Sequence, residues 1–129
     1  MKKLLLSATL LLFALTASAA LVTTLLLNTS TVGAGTSYTN NYQGYPQNTY
    51  ANRWYQATLN GASAVSATVE IDGSTDNVNW VPMITITLPK TSTGAMTDGA
   101  ATVQTAPYVR GNLLAISGVG ATVTLISGE

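Results

Sequence analysis

The chain contains no cysteine and no histidine, and only 8% of its 129 residues are charged. Without cysteine it forms no disulfide, and without histidine it lacks the commonest general base and the commonest metal ligand. Charged residues usually make up about 25% of a soluble domain. Five basic residues balance five acidic ones, so nothing predicts a basic face for nucleic acid. The sequence therefore predicts no enzyme and no catalytic, cofactor-binding or metal-binding residue, and its low charge suits a packed assembly or an extracellular life.

Residues 1–19 have the pattern of a secretory signal peptide. Lys2 and Lys3 precede an apolar stretch over residues 4–15, and Ala17-Ser18-Ala19 matches a cleavage site after Ala19. This favours an export signal that contacts a membrane only in transit. Two other interpretations stay open. Residues 4–27 are uncharged and as long as the roughly 20 residues of a membrane anchor, and the segment is also suited to remain as a hydrophobic packing arm.

The rest of the chain, residues 20–129, predicts a single all-β domain. About seven short strands alternate with turn residues, which indicates an antiparallel β-sandwich, Ig-like or jelly-roll-like. The predicted strands span residues 21–27, 53–59, 67–72, 80–88, 101–104, 108–116 and 121–126. Along residues 53–59 the alternation predicts that Tyr55, Ala57 and Leu59 face in. The apolar positions that recur at period two, and are therefore predicted to be buried between two sheets, are Val69, Ile71, Ile84, Ile86, Val109, Val123 and Leu125.

The turns between these strands are predicted from their residue types. Residues 67–80 indicate a strand, a turn over residues 73–77 and the start of a second strand at Trp80, which is predicted to be in the core. Pro82 places that second strand at a sheet edge or after a bulge. Asn60-Gly61 is the strongest hairpin signal, because type I′ turns need positive φ at both central residues. Residues 91–99 are predicted to be a loop, and residues 117–120 to join the last two strands.

Two groups of residues with side-chain oxygens are candidate sites of chemistry. Asp72, Asp76 and Asn77 carry oxygen ligands suited to Ca²⁺, but Asp and Asn are ordinary turn residues, and turn formation is favoured. Glu70 and Asp72 lie two apart on one strand face and invite comparison with a glycosidase carboxylate pair. An exposed strand face is the favoured interpretation. Arg110 is predicted to pair with one of these two carboxylates across neighbouring strands.

Aromatic residues mark a candidate interface. Residues 37–52 are rich in Tyr, Asn, Gln and Gly without apolar periodicity, which predicts an exposed loop. Tyr42, Tyr45, Tyr50 and Trp54 are suited to pack on a partner subunit or to stack on sugar rings, because aromatics are enriched at interfaces. For Trp54, simple coverage of a sheet edge is an equal alternative. We expect assembly with other copies, and the first strand is suited to pair with a neighbour's sheet edge.

The order of several short motifs resembles the small β-sandwich domains common among tailed-phage structural proteins. The turn has Thr75-Asp76-Asn77 where the pattern expects Asn-Asp-Gly, and Asn also tolerates positive φ. The tyrosine-rich loop is longer than usual for this pattern. In chain order, the residues that carry the resemblance are Gly33-Ala34-Gly35, Tyr55-Gln56-Ala57-Thr58, Thr68-Val69-Glu70-Ile71, residues 74–80, Thr85-Ile86-Thr87-Leu88, Tyr108-Val109-Arg110 and residues 116–124.

This resemblance implies a non-catalytic structural protein of a virion. Such domains decorate capsids or form parts of head fibres and tails, and their partners are copies of themselves and other virion proteins. The signal-like residues 1–19 support an alternative. In that case the chain is exported to the periplasm or the medium and acts as a filament subunit or a glycan-binding module.

Overall fold

A computed structural model describes residues 22–39, 53–62, 64–91, 95–104 and 106–128 of the protein, and the account below is confined to them. The described residues contain no helix, and hence none long and apolar enough to cross a membrane. The strands are β1 (Val22–Thr29), β2 (Gly33–Ala34), β3 (Tyr38–Thr39), β4 (Arg53–Asn60), β5 (Val65–Ser74), β6 (Val81–Thr91), β7 (Ala95–Thr102), β8 (Tyr108–Ser117) and β9 (Thr122–Gly128).

The strands form two antiparallel sheets that pack as a sandwich, which confirms the predicted all-β fold. Sheet A has the order β1-β9-β4-β7, and sheet B has the order β2-β8-β5-β6, with β3 also paired to β8. The short β2 and β3 follow each other along β8, and Gly35 N–H donates to Gly111 O at 2.8 Å between them. Counted as one interrupted strand, they bring the total to eight, arranged in the strand order of a jelly roll.

The stretch predicted as strand, turn and strand is the hairpin β5–β6. Its register pairs Val69 with Ile86 and Ile71 with Ile84, and then shifts by one residue before Asp72 pairs with Pro82. The prediction for Pro82 is confirmed, since β6 is an edge strand, and the register shift lies directly after the proline, between Pro82 and Ile84. This is the one connection among the described strands that joins neighbours within one sheet.

The predicted hairpin at Asn60-Gly61 is wrong. β4 pairs with β7 and β9 in sheet A, whereas β5 belongs to sheet B, so the chain crosses between the sheets at this point. Gly61 does not have positive φ. Its role is close packing, because a Cβ at this position would overlap the side chain of Val65 and lie 3.2 Å from Ala121 Cα.

Two other expectations also concern connections. The predicted connection between the last two strands is found at residues 118–121, and it crosses from β8 in sheet B to β9 in sheet A. The predicted loop over residues 91–99 is mostly strand, because β7 begins at Ala95 and pairs with β4 along its whole length. Asp98 and Gly99 have low strand propensity, and here the pairing with β4 overrides it.

The hydrophobic core lies between the two sheets. Of the seven residues predicted to be buried, six are buried, and Ile84 on the edge strand β6 is partly buried against them. The alternation predicted for β4 is also confirmed, since Tyr55, Ala57 and Leu59 are fully buried. The outer faces of the two sheets therefore carry the residues that remain for function.

Candidate functional site

Among the residues that the structure describes, the outer face of sheet A carries no charged side chain. Its residues alternate along β4 with buried ones, and the strand register extends the same face across β1, β9 and β7. Threonine and other small or amide side chains supply most of it. We call this surface the neutral face, and it consists of Val22, Thr24, Trp54, Gln56, Thr58, Asn60, Ala95, Thr97, Gly99, Ala101, Thr122, Thr124, Ile126 and Gly128.

Hydrogen bonds connect two threonines in the middle of the neutral face, Thr58 and Thr124, to the strands on either side of them. Thr58 Oγ1 and Thr97 Oγ1 lie 3.2 Å apart on neighbouring strands. The Thr124 hydroxyl donates to Asn28 Oδ1 at 3.0 Å and accepts from the Asn28 N–H at 3.2 Å. Short side chains have few rotamers to lose, so this surface can be covered at a small cost in conformational entropy.

Trp54 is the large aromatic side chain of the neutral face, and 54% of it is exposed. Its ring lies over Gly99 of the edge strand β7, where a Cβ would come within 2.8 Å of the ring atom Cζ2. The ring therefore covers the sheet edge, as one of the two predicted roles requires, and more than half of it remains available to a partner. Tyr42, Tyr45 and Tyr50 lie outside the described residues, and their place at a contact stays a prediction.

Charged residues lie on the outer face of sheet B. The Arg110 Nε donates to Asp72 Oδ2 at 2.9 Å, and the two residues face each other across β8 and β5. The predicted cross-strand pairing of Arg110 with a carboxylate is confirmed. The guanidinium carbon of Arg110 also lies 4.3 Å from the ring centroid of Trp80. The prediction that Trp80 is in the core is wrong, because its side chain is half-buried outside the core, beside Arg110. Arg110 thus holds a carboxylate that is only 3% exposed.

Glu70 adjoins this ion pair on the same face of β5. Burial raises the pKa of the Glu70 carboxyl above its usual value. Hydrogen bonding and charge repulsion from the neighbouring Asp72 carboxylate raise this pKa further, whereas hydrogen bonding to the Asn112 side chain lowers it. The Asp72 carboxylate is itself bound by Arg110 at 2.9 Å and is buried at the base of this face, so it is not free to act on a substrate beside Glu70. The pair is therefore unsuited to glycoside hydrolysis, and its partners Arg110 and Asn112 give it a place in the structure of sheet B.

In the turn between β5 and β6, the carboxylate of Asp76 accepts hydrogen bonds from other residues of the same turn. Asp76 Oδ1 accepts from the Asn79 N–H at 2.7 Å and the Val78 N–H at 2.9 Å, and Oδ2 accepts from Asn79 Nδ2 at 2.7 Å. The Ser74 hydroxyl donates to Oδ1 at 3.0 Å. Asn77 has φ 59°, the left-handed conformation for which asparagine substitutes for glycine. These contacts confirm turn formation as the role of Asp76 and Asn77.

Replacing Asp76 by asparagine is expected to lower stability in a pH-dependent way. Hydrogen bonds, above all from the Asn79 backbone, hold the pKa of the Asp76 carboxyl far below its usual value. A lowered folded-state pKa gives stability that is present above the unfolded pKa of about 3.9 and is lost as pH falls below it. The urea midpoint of Asp76→Asn should therefore lie below that of the wild type at pH 7, and the gap should narrow below about pH 4.

The matched control for this prediction is Asp98→Asn on β7. Its carboxylate is exposed and accepts from the adjacent Gly99 N–H at 2.8 Å, without a turn network around it. Asp76→Asn should lower the urea midpoint, relative to the wild type, more at pH 7 than at pH 3. A lowering that is the same at both pH values, or equal to the lowering caused by Asp98→Asn, would contradict the assigned role.

An open groove of about 470 Å³ lies beside the same turn. Its walls are Ser74, Asn79, Val81, Met83, Gln104 and Ala106. None of these side chains is aromatic or charged, so the groove lacks the stacking surface that sugar binding uses and the charge that would orient an ionic ligand. The neutral face is therefore the stronger candidate site.

Comparisons with protein-family models, with the sequences of curated proteins and with solved structures found no match for this chain. The function must therefore be argued from the two faces of the sandwich. Sequence reasoning found Trp54 and the ion pair of Arg110. It missed the neutral face, because that face exists only once the register of four strands is known.

Proposed function

We propose that this protein is a non-catalytic structural subunit of a phage virion, in a capsid decoration, a head fibre or a tail, and that it acts through contacts with neighbouring subunits. The observation that carries the proposal is the neutral face, a whole sheet surface without charge and with an exposed tryptophan. The motif resemblance supports the virion in particular. The jelly-roll strand order adds support by analogy of fold alone, since viral capsid domains use it.

An uncharged sheet face is a liability for a free domain and an advantage for an assembled one. Charged side chains keep soluble domains apart, and surfaces without them favour association. The central parts of protein interfaces are depleted in charge and enriched in aromatic residues. The neutral face is free of charge and carries the exposed Trp54, whereas the outer face of sheet B carries the charges of Glu70, Asp72 and Arg110.

One alternative has specific support. The signal-peptide pattern of residues 1–19 favours export, and lectins also use the jelly roll. In this second proposal the chain is a periplasmic or extracellular filament subunit, or it binds glycans by stacking sugar rings on Trp54.

Locating the chain in its native source separates the two proposals. Virion particles purified by density gradient, the periplasmic fraction and the medium are probed by quantitative mass spectrometry, and the N-terminus is sequenced. Many copies per particle with Met1 retained are expected for the virion protein. Recovery outside particles with Ala20 at the N-terminus would overturn the first proposal in favour of the second. A glycan that protects Trp54 from acrylamide quenching would identify the glycan-binding form of the alternative.

A further inference from the structure

Edge-to-edge pairing is blocked on the side of the sandwich formed by β6 and β7. Asp98 of β7 stands opposite the buried Ala57, so its charge points to the core side of sheet A at the rim, where it is exposed. Inward-pointing charges on edge strands prevent a further strand from adding. The edge strand β6 contains Pro82 and Pro89, which have no N–H to donate.

The opposite edges are irregular. β1 has register shifts between Thr24 and Leu26 and between Leu26 and Thr29, and Asn28 has φ 44°. The corresponding edge of sheet B consists of two strands of two residues each. Bulges and very short strands are further devices that discourage edge pairing. Regular association between folded copies is therefore directed to the two outer faces.

The two faces differ in what contact with a second copy would bury. Among the side chains described on sheet B, Glu70 adds a second carboxylate to the pair of Asp72 and Arg110, so contact between two such faces would desolvate its charge. Burial of unpaired charge is strongly unfavourable. The neutral face has no charge to desolvate and none to repel its own copy. A charged partner would meet no counter-charge there, so the face is best matched by another face like itself.

We propose that a second copy of this chain docks on the neutral face, sheet A against sheet A. The proposal deepens the proposed structural role and rests on it for its biological meaning. In a two-fold contact the same patch serves both copies. The ring of Trp54, already held over Gly99, loses little freedom on contact, which is the property of an aromatic anchor.

The size of the face sets the strength of the contact. Four strands about 4.8 Å apart, with about seven residues each at about 3.3 Å, give a surface of roughly 450 Å² per copy. The total of about 900 Å² lies just under the roughly 1,000 Å² of a stable specific interface. The contact is therefore a weak one in isolation and gains strength when several copies are held together in an assembly.

Sedimentation equilibrium of the full chain tests this proposal at about 10 µM to 1 mM, the range of a weak interface. Thr58 lies in the middle of the face, between Thr97 and Thr124. Thr58→Lys should weaken self-association at least tenfold, because like charges would meet across the contact. Thr58→Glu should do the same, and a mixture of the two variants should restore dimers. Thr87→Lys, on the exposed outer face of sheet B, is the matched control and should leave the wild-type dissociation constant unchanged.

Circular dichroism of each variant checks folding, and Gln56→Lys, also on β4, replaces Thr58→Lys if the latter unfolds. As a second readout, acrylamide quenching of tryptophan fluorescence should fall with protein concentration in the wild type and not in Trp54→Phe. A wild type that stays monomeric at 1 mM, or a folded Thr58→Lys that associates like Thr87→Lys, overturns the proposal. If the chain is abundant in virions but Thr58→Lys self-associates like the wild type, the docking on the neutral face is refuted and the virion role is not. If the chain is absent from virions but Thr58→Lys is monomeric where the wild type associates, the virion role is refuted and the docking on the neutral face is not.

Discussion

Replacing Arg110 by methionine should lower the free energy of unfolding by about 3 kcal/mol at pH 7. Methionine keeps much of the apolar stem but removes the guanidinium, which binds Asp72 at 2.9 Å and lies over the Trp80 ring. Asp72 is 3% exposed, so its carboxylate would remain buried without a counter-charge. Breaking a buried ion pair in this way costs about 3–5 kcal/mol, and the 24% exposure of the Arg110 side chain places the effect at the lower end.

Two further variants identify the cause of this loss. Asp72→Asn combined with Arg110→Met removes both charges and should recover part of the stability, because no buried charge is left alone. Arg110→Lys keeps the charge but loses the planar group that stacks on Trp80, and it should fall between the wild type and methionine. Urea unfolding at pH 7 gives the free energies. A loss below about 1 kcal/mol for Arg110→Met would mean that the pair behaves as an ordinary surface salt bridge.

The second large effect is expected at the crossing from β8 to β9. Gly118 has φ +112°, a conformation that side chains rarely adopt, and a Cβ there would lie 2.8 Å from Val65 Cα. Backbone cannot move aside as a flexible side chain can. Gly118→Ala should therefore destabilise the protein by about 3 kcal/mol, the sum of an unfavourable φ and a backbone overlap.

Gly120 in the same connection is the matched control. It also has positive φ, +65°, but a Cβ there meets nothing within 4 Å. Gly120→Ala should therefore show the conformational penalty alone, about 1 kcal/mol. Thermal and urea unfolding of the two variants measure the difference. Equal losses would show that close contact with Val65 is not what requires glycine at position 118.

Local patterns predicted most of the long strands, whereas long-range pairing decided the extent of β7 and how the strands connect. Period-two alternation identified Tyr55, Ala57 and Leu59 as core residues, because one face of each strand must be buried whichever sheet it joins. At Asn60-Gly61 the same kind of reasoning was wrong. A turn-forming dipeptide suits a tight hairpin and a crossing between sheets alike, and the choice depends on β7 and β9, which lie far along the chain.

The same distinction separates the two parts of the candidate site. The pairing of Arg110 was predictable because few charges exist in this chain, and a mid-strand cation needs one of them as a partner. The neutral face was not predictable. Thr58, Thr97 and Thr124 come from three strands spread over about half of the chain, and only the register brings them side by side.

The pairing of β1 with β9 has a consequence for how the protein folds. Val22 lies opposite Gly128, so the first and last described residues meet across one ladder. Closing so long a loop is entropically expensive, and topologies with such high contact order fold in roughly milliseconds to seconds. We therefore expect β1 to join late, and until it does sheet A presents β9 as an open template. In a crowded assembly, the strand that fills this place can come from a neighbouring copy, and subunits that fold together would then be linked by exchanged strands.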